Sequence, residues 1–215
     1  MNKSMVARAV LALAAPAIAI VPFTAGAASA GTVAAQSSWS AYYWNSGNSL
    51  GGPQAVGTST DPSAGATVPF TPQQYLAKVV TKEDGSLLGK TVTINGTFTG
   101  SGFDVYGYSP SPDPYVRLYF TGAGGGDGYY SQQWWSDSPA QVDFPAGGMF
   151  TLTLKIDASG WSDWNGKLAS DNVSTFDQAA SHAQSIGLSF GGGSFFENGV
   201  AGSGTLEITG FSVSD

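Results

Sequence analysis

The sequence has no cysteine and a single histidine among 215 residues. The first absence excludes disulfides, thiolate zinc sites, iron–sulfur clusters and a cysteine nucleophile; the second excludes a histidine-rich metal site. Charge is also scarce, at 11% of residues, while aromatics reach 13%. Disorder needs the reverse balance, so the chain is expected to fold around a core. The length suits one domain and would cramp two. Acids number 15 against 8 Lys and Arg, a net charge of −7, which repels nucleic acid and anionic lipid and makes both unexpected as partners. Only Glu83, Glu197 and Glu207 supply glutamate, a thin stock for the paired carboxyls of a glycosidase.

Long apolar runs are missing after residue 30, so no membrane span is expected there. Before it, Lys3 and Arg8 precede an apolar run from Ala9 to Phe23, and small residues follow to Ala28-Ser29-Ala30. This is the pattern of a secretory signal, and the run of about 15 residues is short of the ~20 that a bilayer requires. Cleavage near Ala30 and secretion are therefore expected. Residues 31–38 read as a flexible leader and 39–215 as one domain. Losing Lys3 and Arg8 leaves the mature chain more acidic still. Without disulfides, such an exported domain depends on packing for its stability.

What is present is mostly period two. Trp39–Trp44, Gln54–Val56, Thr91–Thr99, Val116–Phe120, Tyr129–Ser136, Phe150–Ile156, Ile186–Phe190 and Thr205–Val213 read as strands, separated by Gly-, Pro- and Ser-rich turns. In the last, Leu206 and Ile208 share one parity and Phe211 and Val213 the other, which predicts a bulge at Thr209-Gly210. Two helices are expected. Thr71-Pro72 opens a helix-like spacing of Tyr75, Leu76, Val79 and Val80 that ends at Glu83-Asp84-Gly85, and Ser174–Asp177 resembles a capping box ahead of Phe176, Ala179, Ala180 and Ala183. Many short strands with few helices predict an all-β antiparallel sandwich.

Rings cluster at Trp39/Tyr42/Tyr43/Trp44, at Tyr129/Tyr130/Trp134/Trp135 and at Trp161/Trp164. Neighbours in a strand face opposite ways, so one ring of each adjacent pair is expected to leave the core. An outward indole offers its face to the C–H face of a sugar; by analogy with base stacking each such contact is worth roughly 1–3 kcal/mol. The ligand-binding candidates are Tyr130, Trp134, Trp135, Trp161 and Trp164, with Asp163 as a hydrogen-bond acceptor. The plain alternative is that the rings pack inside and Asp163 makes ordinary turn contacts. His182, near the end of the second helix, reads as a partner for the last helical carbonyls rather than a catalytic base. Gly122–Gly128 contains Gly-x-Gly with no helix behind it, so no phosphate loop is expected. No EF-hand spacing occurs, and no ligand set for a structural calcium can be named.

Leu88-Gly-Lys-Thr-Val-Thr93, Val116-Arg-Leu-Tyr-Phe120, Trp134-Trp-Ser136, Ser185–Gly193 with Phe195-Phe-Glu-Asn-Gly199, and the closing Gly204–Val213 give residues 68–215 a pattern. It resembles the jelly-roll carbohydrate-binding modules of exported bacterial proteins. The resemblance implies a two-sheet antiparallel sandwich, no catalysis, often a structural calcium, and aromatic side chains on a concave face or at loop tips that hold a polysaccharide. The alternatives are an extracellular structural or adhesive protein using the same surface for protein contacts, and a glycoside hydrolase.

Overall fold

A computed structural model describes residues 38–45, 49–123, 132–137, 140–144, 148–193 and 197–215. The signal read at 1–30, most of the leader and Tyr130 lie outside the described residues. In chain order the strands are β1 (Trp39–Trp44), β2 (Gln54–Val56), β3 (Ala66–Phe70), β4 (Tyr75–Lys82), β5 (Thr91–Val105), β6 (Pro114–Gly122), β7 (Gln133–Ser136), β8 (Gln141–Asp143), β9 (Gly148–Lys155), β10 (Trp161–Asp163), β11 (Ala183–Gly192) and β12 (Val200–Ser214). One helix, α1 (Val173–Ser181), precedes β11.

All strand pairs are antiparallel. One half of the sheet runs β2-β1-β4-β11-β6-β7-β10, with β8 also on β6; the other runs β3-β12-β5-β9. The halves join where Val200 meets Leu76, and the sheet curls so that both turn their apolar side to one core. Phe190 of β11 therefore packs against Phe70 of β3, ring centroids 6.0 Å apart. This is the antiparallel β-sandwich that the period-two pattern predicts, of the jelly-roll type that the resemblance implies. Helix α1 closes one end: Phe176 is fully buried and meets Phe120, Trp134 and Trp161 edge-on or tilted. Burying that one side chain contributes about 1.5–3 kcal/mol.

The bulge in β12 is where the parity change puts it, between Ile208 and Gly210. The helix expected from Thr71 is a strand instead. Pro72 lies in a turn bridged by Thr71 and Gln74, and β4 follows. Two features of β4 imitate a helix. It is buried on both faces, which erases the alternation, and its pairing with β1 skips Ala77, so Leu76 and Val79 share the core side three residues apart.

Candidate functional site

The tryptophans expected outside are mostly inside. Trp134 and Trp161 are 1% exposed and belong to the main core. The reason is α1: its Phe176 fills the space between them, leaving neither indole a face for a ligand. Trp135 does point to the opposite side of the sheet from Trp134, yet it is only 3% exposed, because it is packed among Val80, Tyr119 and Tyr42. Trp164 is 45% exposed. Its turn is built by Asp163, whose Oδ1 accepts hydrogen bonds from the backbone N–H of Asn165 and of Lys167, both at 2.9 Å, while Gly166 closes the turn at φ +75°. Asp163 thus makes turn contacts through this oxygen, and it positions Trp164. His182 caps α1, its Nδ1 lying 3.1 Å from the Gln178 carbonyl.

The side of β1, β4, β11, β6 and β7 that faces away from the core carries a denser group of rings. In β1 the alternation sends Trp39, Ala41 and Tyr43 inward and Tyr42 and Trp44 outward. Trp44 pairs with Tyr75 of β4, and the Tyr75 ring meets Tyr106 edge-on at 4.9 Å. All four outward rings, Tyr42, Trp44, Tyr75 and Tyr106, are partly exposed. Gly199 sits among them at φ +86°; a Cβ there would come within 3.0 Å of both Trp44 and Tyr75, so only glycine lets the rings approach. The Trp44 Nε1 donates to the Glu197 carbonyl at 2.7 Å, which fixes the indole plane.

Beneath the rings lies an ion pair. Lys78 Nζ is 2.9 Å from Glu197 Oε1, and the two side chains are 8% and 14% exposed. The ammonium also donates to the Tyr119 hydroxyl at 3.2 Å, lies over the Tyr42 and Tyr119 rings, and so is held from four directions. Tyr119 passes the chain on by donating to Gln133 Oε1 at 3.0 Å. The Trp135 Nε1 donates to Ser189 at 3.0 Å. Among the described residues, Glu197 Oε2 is buried without a hydrogen-bond partner. Burial pushes the Glu197 carboxyl above its ordinary value, with Lys78 opposing. Further along the same side, Arg117 stacks on Tyr115 and reaches Asp137 at 3.6 Å, and Ser162 donates to both Asp137 oxygens. Burial draws the Arg117 value down, with Tyr115 and Asp137 opposing.

The β1 rings stand outside the ligand-binding candidates drawn from the sequence, and so does Glu197. The signal for Tyr42 and Trp44 is the strand parity of Trp39–Trp44. Glu197 has no local signal, since its partner Lys78 is far away in sequence, on a strand whose spacing imitates a helix. Among the described residues no group of three or more His, Asp or Glu is arranged to hold a metal ion, and no helix is long and apolar enough to cross a membrane.

No family model matches the chain, and no curated protein matches it. Among solved structures it is similar to a xylan-binding module, CBM15, at 12% identity and a TM-score of 0.43, covering 84% of this chain and 92% of that one. It is also similar to a xylanase from Cellvibrio japonicus in complex with xylopentaose, at 10% identity and a TM-score of 0.41; 84% of this chain matches 27% of that one.

Proposed function

We propose that the chain is an exported, non-catalytic domain that binds a polysaccharide across the outward side of β1 and β4. The observation that carries this reading is the patch of partly exposed rings Tyr42, Trp44, Tyr75 and Tyr106, anchored by buried polar contacts. Rings held rigid before the ligand arrives lose little entropy on binding, and flat aromatic faces are what sugar C–H faces pack against. Trp164, on its Asp163-built turn, supplies a separate exposed indole. Secretion follows from the signal pattern at 1–30, and the acid excess fits a neutral or hydroxyl-rich partner better than a nucleic acid or an anionic membrane.

The test is affinity electrophoresis of the mature protein through gels carrying neutral plant and bacterial polysaccharides. At least one should retard the wild type. Trp44→Ala and Tyr75→Ala should each weaken that retardation roughly tenfold or more, by the value of one stacked ring, without a matching loss of thermal stability. Absence of retardation in every gel, together with sugar-insensitive, concentration-dependent oligomers, would replace this reading with that of an adhesive protein.

A further inference from the structure

We propose that Lys78 and Glu197 condense to form an intramolecular isopeptide bond, tying β4 covalently to the segment that enters β12. The two groups are already in contact, with Nζ 2.9 Å from Oε1, so no movement of chain is needed to bring the amine to the carboxyl. Both are buried on the outward side of a sheet, where a surface lysine and glutamate would ordinarily be solvated. The Tyr42 and Tyr119 ring centroids lie 5.5 and 4.9 Å from Nζ. Among the described residues the other carboxyl oxygen, Oε2, has no hydrogen-bond partner although it is buried, so it can take up the carbonyl without breaking a contact.

The step balances without a co-reactant. A proton passes from the Lys78 ammonium to Glu197 Oε1, the oxygen it contacts, which gives an amine beside a carboxylic acid. Burial pushes the Glu197 carboxyl upward, which favours its protonated form. The Nζ lone pair then attacks Cδ, the Nζ–Cδ bond forms, and the carbonyl pair moves onto Oε2. When the carbonyl re-forms, the Cδ–Oε1 bond breaks. Oε1 leaves as water with two protons, both originally on Nζ, and an amide remains. Tyr119 acts as a positioning residue: its hydroxyl accepts from Nζ at 3.2 Å and donates to Gln133 at 3.0 Å, which aims the amine. The chain has no cysteine, so this bond would be the covalent tie that a disulfide provides in other exported domains.

Intact-mass spectrometry of the purified, signal-processed protein under denaturing conditions decides the matter, whether or not the protein binds a glycan. The wild type should weigh one water molecule less than its sequence. Peptide mapping should recover a branched peptide joining the segments around Lys78 and Glu197, with no tryptic cleavage after Lys78. Lys78→Arg should show its full sequence mass, and this reading holds even if the variant fails to fold. A wild type at full sequence mass, or a water loss that maps to other residues, overturns the proposal.

Discussion

Trp161→Ala should cost about 3–5 kcal/mol of folding stability, as deletion of a large, fully enclosed ring does. The indole is 1% exposed, its Nε1 donates to the Lys155 carbonyl at 3.0 Å, and it stands edge-on to Phe120 at 5.1 Å. It also touches Phe176 of α1, so one deletion loosens both the helix and the three-residue edge strand β10. β10 pairs with β7 through Trp161–Asp163 and bridges Leu168 through Ser162, so Trp161 is its link to the core. The measurement is the denaturant midpoint at unchanged slope. Trp164→Ala, one turn away in the same segment but 45% exposed, should change the folding stability by no more than about 0.5 kcal/mol. Equal effects at the two positions would mean that the core does not extend under β10. The pair separates two tryptophans that composition alone treats as equivalent.

That separation marks what could be read from the sequence. The strands that bury one face and expose the other were legible, because Thr91–Thr99 and Phe150–Ile156 alternate without interruption, and the parity change at Thr209-Gly210 was enough to locate the bulge. β4 was not legible. It is covered on one side by the core and on the other by the Tyr42–Tyr119–Trp135 group, and the skipped residue Ala77 gives it a three-residue spacing. The tryptophan pair illustrates a different limit. Strand parity correctly sent Trp134 and Trp135 to opposite sides, but side is not exposure: the outward side carries enough rings to bury Trp135 as well. Asp163 shows the competition within a single residue, since the Asx-turn chemistry that makes aspartate common beside a turn engages one oxygen of the carboxylate that a ligand would contact. The Lys78–Glu197 contact depends on bringing β4 beside the β11–β12 connection, information that resides in the topology and not in any local pattern.

The same topology makes Gly187→Ala a severely damaging small substitution. Gly187 lies in the middle of β11, opposite Tyr119 of β6 and Val80 of β4. A Cβ there would stand 2.0 Å from the Val79 carbonyl oxygen and 2.7 Å from the Val80 Cα. Those are backbone atoms of the central neighbouring strand, so no rotamer change relieves the contact; β4 or β11 must shift by more than an ångström. Ile186 and Leu188 on either side of the glycine are fully buried, which resists such a shift. The cost should exceed the ~1–3 kcal/mol usual for overpacking and approach a large part of a domain margin of about 5–15 kcal/mol, so the variant should be recovered unfolded or with a strongly lowered thermal midpoint. Gly52→Ala supplies the contrast: its Cβ would meet nothing within 4 Å, and it should be neutral or gain up to about 1 kcal/mol by restricting the unfolded chain. A well-folded Gly187→Ala protein would require β4 and β11 to lie farther apart. It would thereby also loosen the placement of Lys78, the residue on β4 that the ring patch encloses.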